Sequence, residues 1–416
     1  MKGRGFRATI GFLVVPVLSA VAPLLVVPAV ARTHGADGWA AIAVGVALGN
    51  AGSVVADLGW TVIGPQRVAA RLVDHRAEYR RSLASRSCAA AVLVPLVAVI
   101  AASLAPSDPA AAAWAAAGVG LGALSPAWYF VGRARPWSCV LIETLPKCLV
   151  SVAVALTLPL GVPLSTYGIG LGIAALCSVV LAALVGDAPL PRWDGFRRVP
   201  ETMTELRVLT LGRAASTAAT ALPTAVLSCV APSAVATYAA LDRPLRMGLQ
   251  VLQAVPAQMQ AWLGRASVDE LRRRTKAALL VNVALGVAAG CGVLVGAPPV
   301  LRVLFGDAVV VPGSAVVAAA ALVTVICASR GLGLVVVAQG KPAATTTAAL
   351  TIAVVGTAGV AIWAGLGGVT AAFAALTIAE SAGIVVQATA LAARPSRARI
   401  PEHPEPSACP TDVASN

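Results

Sequence analysis

Residues 87–136 read SCAAAVLVPLVAVIAASLAPSDPAAAAWAAAGVGLGALSPAWYFVGRARP. This stretch holds two apolar runs, near residues 87–105 and 110–131, which are joined by the proline-containing turn 106–109 and followed by the basic gap 132–136. Each run has about the 20 residues that a helix needs to cross the hydrocarbon of a bilayer. The stretch therefore predicts two neighbouring membrane helices, with a short turn at one side of the membrane and arginines at the other.

The same alternation continues along nearly the whole chain of 416 residues. Long apolar runs recur from about residue 9 to residue 393, and 25 of the 31 lysines and arginines fall in every second gap, Arg86 and Arg330 among them. Because Lys and Arg collect on the cytoplasmic side of a membrane, these gaps are predicted to be cytoplasmic. We expect a multi-pass protein of the bacterial inner (plasma) membrane with both termini in the cytoplasm.

The composition agrees with a membrane protein and excludes several other classes. Hydrophobic residues make up 58% of the chain and charged residues 12%, whereas soluble proteins carry about 25% charged residues. The net charge of +13 does not indicate a nucleic-acid partner, because the basic residues lie in short loops where anionic lipid headgroups are found. The eight cysteines form no CxxC pair and the three histidines lie far apart, so neither a disulfide framework nor a metal site is expected.

No motif for a catalytic or nucleotide site is present. The one Gly-Lys pair, Gly340-Lys341, is followed by Pro342 and lacks the glycine of a P-loop. The run 168–172, GIGLG, lies inside an apolar run and favours close helix packing over dinucleotide binding. We therefore expect no enzyme activity and no cofactor, and a transporter driven by an ion gradient or by its substrate gradient.

The polar segment 187–206 divides the predicted helices into two sets of six. The sequence thus predicts an all-α integral membrane protein of about twelve transmembrane helices in two six-helix lobes. The first lobe covers residues 1–195 and the second covers residues 196–393. A proline- and serine-rich segment, residues 394–416, is expected to be a disordered cytoplasmic tail.

Eight ionisable residues fall inside or at the ends of the predicted spans. Such a side chain costs roughly 2.5–3.5 kcal/mol at the bilayer centre on insertion scales, so these groups must face one another or a water-filled cavity. Four are acidic and four are basic: Asp57, Glu143, Lys147, Arg213, Asp242, Arg243, Arg246 and Glu380.

Two acidic–basic pairs, Glu143–Lys147 and Asp242–Arg246, are four residues apart and therefore share one face of a helix. Asp242 can pair with only one of its two arginines along the helix, which leaves a cation that needs an anion. Arginine is well suited to forked recognition of phosphate. We predict a phosphate-receiving site in a central cavity from Arg213, Asp242, Arg243 and Arg246, with Glu143 and Lys147 as further candidates; purely structural salt bridges are the alternative.

Asp57 and Glu380 are candidates for ion coupling. Asp57 stands near one end of the second span, where it could instead cap or kink the helix. Glu380 has no charged neighbour in its own span, and it could instead pair with Arg213 or another cation across the bundle. The sequence leaves these alternatives open.

Several short stretches are similar to the lipid-linked oligosaccharide flippases of the O-antigen type, which belong to the MATE-like (MOP) transporter superfamily. In order along the chain they are 28–35 (PAVARTHG), 56–60 (ADLGW), 125–132 (SPAWYFVG), 235–243 (VATYAALDR), 304–307 (LFGD) and 365–372 (GLGGVTAA). The resemblance implies a two-lobed bundle that works by alternating access. It also implies a polyprenyl-pyrophosphate-linked sugar substrate that moves from the cytoplasmic to the outer leaflet. The first helix departs from some of these flippases because its span carries no cation.

Three functions are consistent with the sequence. The first is such a flippase, whose partners are the lipid-linked glycan, membrane lipids and possible glycosyltransferases or a glycan polymerase, with no nucleic acid. The second is a drug/ion antiporter of the same fold, which the balance of four buried charges of each sign leaves open. The third is a scaffold for glycan-synthesis enzymes, which would not need buried charge.

Overall fold

The computed structural model of the protein describes residues 2–69, 74–185, 187–191, 193–263, 268–339 and 341–393, and within these ranges every regular element is a helix. It describes most side chains from Leu24 onward. The helices are α1 (Lys2–Ala56), α2 (Trp60–Ala69), α3 (His75–Leu104), α4 (Pro109–Gly120), α5 (Ala127–Gly132), α6 (Pro136–Cys139), α7 (Leu145–Thr157), α8 (Thr166–Leu184), α9 (Trp193–Arg197), α10 (Val199–Val230), α11 (Val235–Leu252), α12 (Ala254–Leu263), α13 (Val268–Phe305), α14 (Gly313–Ala338) and α15 (Pro342–Ala392).

Two of these helices are each two crossings joined at a glycine. Helix α1 has 55 residues, about 80 Å at 1.5 Å per residue, while the hydrocarbon core is only about 30 Å thick. It is broken at Gly35 (φ 65°), and α15 is broken at Gly368 (φ 58°). Both glycines adopt the left-handed region that a residue with a Cβ avoids.

With α1 and α15 divided at these glycines, and with α4–α5, α6–α7 and α11–α12 each taken as one interrupted helix, the described residues form twelve long helical segments. The all-α membrane fold expected from the sequence is confirmed. By length and apolar composition alone, eight helices of the described part qualify as membrane spans. Helix α11 is not among them because its 18 residues carry three charges, Asp242, Arg243 and Arg246, and in α10 the described residues give only the shorter apolar stretch Thr220–Val230.

Two boundaries differ from the sequence prediction. The second span was expected to reach residue 63, but α1 ends at Ala56, where Leu58 and Gly59 take positive φ and α2 begins at Trp60. Arg86 and Arg330 were assigned to loops, but α3 already begins at His75 and α14 extends to Ala338, so both arginines lie within helices. The lobe boundary at residues 195–196, where α9 lies, stays a prediction, and the tail 394–416 lies outside the described residues.

Small residues let the helices of the first half, α1–α8, approach each other closely. A Cβ built at Gly168 of α8 would lie 2.1 Å from the backbone carbon of Trp114 in α4, and one built at Gly118 would lie 2.0 Å from the Gly168 carbonyl oxygen. The backbones of α4 and α8 therefore touch at these glycines, in the manner of small-residue helix packing in membranes. The 168–172 run serves this contact.

Apolar packing joins the two halves at one end of the bundle. Trp39 of α1 packs edge-on against Phe305 of α13, with ring centroids 5.3 Å apart, and Tyr238 of α11 stacks on Phe373 of α15 at 5.0 Å. These rings belong to one buried cluster with Val30 and other residues from both halves. We call this the apolar end of the bundle, and the opposite end, which holds α2, α9 and the first turns of α3 and α10, the basic end.

The contact between α4 and α8 predicts unequal effects of two alanine substitutions in one helix. Gly168→Ala forces a Cβ into backbone atoms, and overpacking of this kind typically costs about 1–3 kcal/mol. Gly172→Ala places its Cβ at an ordinary 3.4 Å from the nearest atom and serves as the matched control. Thermal unfolding in detergent should show a lower melting temperature for the first variant only; equal melting temperatures would contradict this packing.

Candidate functional site

A cavity of about 470 Å³ lies between the two halves of the bundle. Its size is within the range of small-molecule sites, roughly 300–1,000 Å³. Its walls come from α1, α4, α7 and α8 on one side and from α10 and α11 on the other, together with the π-helical turn Val140–Thr144. Apolar residues dominate, and the polar wall residues are Asn50, Ser53, Thr144, Lys147, Ser151, Thr217, Thr220, Thr224, Asp242, Arg243, Arg246 and Gln250.

Helix α11 supplies the densest group of charges to this cavity. Arg246 donates from Nε to Asp242 Oδ2 at 2.6 Å, and the Tyr238 hydroxyl lies 3.3 Å from the other oxygen of Asp242. Arg243 instead donates to the backbone carbonyl of Ala43 in α1 at 2.8 Å. Of the two arginines, Arg246 is therefore the one that pairs with Asp242, and within the described part of the chain Arg243 forms no ion pair.

The second candidate pair lies on the opposite wall. Lys147 Nζ is 2.6 Å from Glu143 Oε1, and Ser125 donates to the other carboxylate oxygen of Glu143. Glu143 belongs to the π-helical turn Val140–Thr144, a local irregularity that is frequent at functional sites. Lys147 lines the cavity whereas Glu143 does not. The lysine therefore faces the cavity, and its carboxylate partner lies behind it.

Arg213 and Asp57 lie outside this cavity and interact with each other. Asp57 is buried, and its Oδ2 accepts from the backbone N and the hydroxyl of Thr61, at 3.1 and 2.7 Å. Arg213 donates to the same hydroxyl at 2.7 Å and approaches Asp57 at 3.7 Å. Asp57 thus caps the start of α2 and connects it to α10 through Arg213. The sequence had placed Arg213 in the phosphate site, and the structure does not bring it there.

Arg86 is a buried cation that the sequence analysis missed. Its side chain is fully buried, and its guanidinium donates to the carbonyls of Ala123 and Ser125 at 2.8 Å each and lies 3.9 Å from Asp57. The six arginines of residues 67–86 resembled a single basic loop, so Arg86 was not recognised as a buried residue. Its position directly before the long apolar run of α3 could have indicated that it belongs to the helix.

Glu380 has a partner that the sequence could not reveal. It lies next to Ser329 and interacts electrostatically with Arg330 of α14 and with Arg246. Arg330, which was assigned to a loop, donates to the carbonyl of Leu249 in α11 at 3.0 Å. Glu380 is therefore part of a charged group within the second half of the bundle, α10–α15, and Arg213 is not its neighbour.

Ion pairs hold α10 against the first half at the basic end. Glu205 accepts from Arg67 of α2 on one carboxylate oxygen and from Arg81 of α3 on the other at 2.5 Å, and Arg81 also donates to Thr202 at 2.7 Å. Together with Arg213 and Asp57, these contacts close the space between α10 and α2–α3. Glu205 is partly exposed, so its ion pairs contribute little stability by themselves and can exchange with water.

A second acidic residue ties together the basic end of the first half. Asp187 follows α8, pairs with Arg76 of α3, and lies 3.3 Å from Arg133. The hydrogen bond from Arg76, aided by Arg133, holds the pKa of the exposed Asp187 carboxyl below its ordinary value. The carboxylate therefore stays charged at neutral pH, and this contact weakens only as the pH falls through that lowered pKa.

The fold and the cavity define a multi-pass membrane protein with a polar chamber between two helical halves. No protein-family model matches the chain, and no curated protein matches its sequence.

Solved structures of the same architecture do match. An inward-facing multidrug resistance MATE transporter of the MOP superfamily is 14% identical with a TM-score of 0.68, over 92% of this chain and 97% of that one. The lipid II flippase MurJ, in an inward closed conformation, is 9% identical with a TM-score of 0.67, over 93% and 87%. A MOP-superfamily transporter from Pyrococcus furiosus, described as having a binding pocket of reversed polarity, is 14% identical with a TM-score of 0.53, over 91% and 95%. The chain thus shares its fold with structures described as MOP-superfamily transporters.

The ion pairs of Glu205 predict a change in access to the cavity. Glu205→Gln removes the charge that holds both Arg67 and Arg81, so the basic end should open more often. In a cysteine-free protein carrying Ser53→Cys in the cavity wall, a water-soluble maleimide should label residue 53 several-fold faster in the Glu205→Gln variant. Glu201→Gln is the matched control, because Glu201 lies one turn earlier in α10 and forms no ion pair among the described residues. Equal labelling rates in all three proteins would show that Glu205 does not control access.

Proposed function

We propose that this protein is a flippase for a polyprenyl-pyrophosphate-linked oligosaccharide. It moves this lipid from the cytoplasmic to the outer leaflet of the bacterial inner membrane by alternating access, for cell-surface polysaccharide synthesis. The observation that carries the proposal is Arg243, a partly buried cation in the cavity wall that contacts a backbone carbonyl and forms no ion pair among the described residues.

The charge of the cavity favours an anionic substrate. Three cations, Lys147, Arg243 and Arg246, line it, against Asp242 in the wall and Glu143 behind Lys147. One positive charge is therefore left over inside an apolar bundle, where an unpaired charge is costly. A pyrophosphate would offset this charge, and the planar guanidinium of arginine can donate two parallel hydrogen bonds to phosphate oxygens.

The remaining polar wall suits a sugar. Hydroxyl and amide side chains of Asn50, Ser53, Thr217, Thr220 and Gln250 are distributed around the cavity and can exchange hydrogen bonds with sugar hydroxyls. A headgroup that cannot cross hydrocarbon unaided would move through this polar space while its lipid tail stays in the bilayer. The likeness to MurJ, which is described as a lipid II flippase, supports this class of cargo.

A drug/ion antiporter is the second candidate, favoured by the likeness to the multidrug resistance MATE transporter. The net charge of the cavity disfavours this function, because an organic cation would meet an excess of positive charge. The sequence analysis counted four cations and four carboxylates inside the bundle. Arg86 and Arg330 add two further cations, so the cations outnumber those four carboxylates. Both carboxylates proposed for ion coupling, Asp57 and Glu380, lie close to arginines. Their coupling role stays a prediction.

The topology belongs to the same proposal. The basic end of the bundle would face the cytoplasm, with both termini on that side, where glycosyltransferases deliver the lipid-linked glycan. A glycan polymerase would receive the product at the apolar end. Under this orientation, the Glu205 ion pairs close the cytoplasmic entrance of the cavity.

Replacing Arg243 tests the proposed site. Arg243→Gln removes a charge-assisted hydrogen-bond donor worth about 1.5–3 kcal/mol, so transport of the lipid should fall roughly tenfold or more. The measurement uses vesicles containing the protein and a fluorescent polyprenyl-pyrophosphate oligosaccharide, with quenching by a membrane-impermeant reductant. Arg243→Lys keeps the charge and should retain part of the activity.

Arg302→Gln is the charge-matched control, because Arg302 is exposed near the end of α13 and lies outside the cavity. It should transport at the rate of the unaltered protein. Uptake of an organic cation by the same vesicles, with no movement of the lipid, would replace the flippase by the antiporter. Equal transport by Arg243→Gln and Arg302→Gln would remove Arg243 from the site.

A further inference from the structure

We propose that a groove between α11 and α13 holds the polyprenyl chain of the lipid whose pyrophosphate occupies the central cavity. This inference rests on the proposed function and adds a second, apolar part to its site. The groove has a volume of about 260 Å³ and is partly open to the surroundings of the bundle. Among the described residues, none with a polar side chain lines it; the wall they form consists of Leu241, Pro244, Leu245, Gly248, Leu249, Leu252, Ala289, Gly292, Val293, Gly296, Ala297, Val300, Leu301 and Val323.

Glycines make this groove. A Cβ built at Gly248, Gly292 or Gly296 meets no other atom within 4 Å, so side chains would fit at all three positions. Two other glycines of α13 differ, because a Cβ at Gly286 or Gly290 would lie 2.8 or 2.4 Å from atoms of Thr324 in α14. The latter two permit helix packing, whereas the groove glycines leave empty space and lower helix propensity by about 1 kcal/mol each relative to alanine.

Helix α11 presents the cavity and the groove on opposite faces. Arg243 and Arg246 face the cavity, while Pro244 and Gly248, which alternate with them along the helix, face the groove. The two spaces are therefore separated by one helix, whose diameter is about 10 Å. The groove follows α11 from Leu241 to Leu252, about 16 Å at 1.5 Å per residue. A lipid anchored by its pyrophosphate at the two arginines has its chain within reach of this groove.

The open positions of the groove favour a branched polyprenyl chain over an ordinary acyl chain. Leaving the bilayer for an apolar groove brings little transfer free energy, because lipid tails are as apolar as leucine. Selection must therefore come from fit, and the space beside Gly248, Gly292 and Gly296, where a Cβ meets no atom within 4 Å, would accommodate methyl branches of a polyisoprenoid. The groove would align the chain along α11 while the headgroup is bound.

Photo-crosslinking tests the occupant directly. A polyprenyl pyrophosphate with a diazirine in its chain should label groove residues of α11 and α13 in the reconstituted protein, and unlabelled polyprenyl pyrophosphate should compete. Arg243→Gln should reduce the labelling several-fold, because the chain enters with its headgroup. A diazirine phosphatidylglycerol should label these residues weakly and without competition. Equal labelling by both lipids, insensitive to the competitor, would mean ordinary membrane lipid and would overturn the inference.

A filling substitution provides the second measurement. Gly292→Leu adds a side chain to the groove at a position where a Cβ meets no atom within 4 Å, and it should reduce groove labelling and slow lipid transport several-fold. Cys291→Leu is the matched control, because Cys291 is exposed in the same helix but does not line the groove. Normal transport and labelling in Gly292→Leu would overturn the groove while leaving the flippase standing. No transport of any pyrophosphate lipid by the unaltered protein would overturn the proposed function itself.

Discussion

The structure depends on keeping cations inside an apolar bundle, where each must find an acceptor. Three arginines inside the bundle, the buried Arg86 and the partly buried Arg243 and Arg330, find it on the backbone, at the carbonyls of Ala123 and Ser125, of Ala43 and of Leu249. A carbonyl satisfies donors of the guanidinium but does not neutralise its charge. In the cavity, Lys147, Arg243 and Arg246 outnumber Asp242 and Glu143 by one charge, which suits the anionic cargo proposed above.

The two ends of the bundle are closed by different kinds of contact. At the apolar end, rings such as Trp39 and Phe305 pack into a cluster shared by both halves. At the basic end, ion pairs of α10 with α2 and α3, centred on Glu205 and Asp57, stand beside the apolar packing of Leu206 into a buried cluster of the first half. Apolar contacts separate only at the cost of exposing surface, whereas partly exposed ion pairs exchange with water at little cost. Of the contacts at the basic end, the partly exposed ion pairs of Glu205 are thus the ones that open most easily.

Helix α11 has the central position in the proposed mechanism. One face carries Asp242, Arg243 and Arg246 into the cavity, and the other forms the glycine-lined groove with α13. Its contact with α1 through Arg243 and Ala43 also joins the two halves. A lipid that binds along both faces would therefore change the contacts between the halves, which couples substrate binding to alternating access.

The sequence alone determined the membrane fold, because hydropathy and the alternation of arginines are imposed locally by the bilayer on every segment. It also determined the pairs Glu143–Lys147 and Asp242–Arg246, since i,i+4 spacing sets which side chains meet on one helix. Only the tertiary structure decided that Arg213 pairs with Asp57 away from the cavity, that Glu380 lies beside Arg330, and that Arg86 is buried. These contacts join residues from different helices, and their partners depend on how the helices pack and rotate, which no local pattern records.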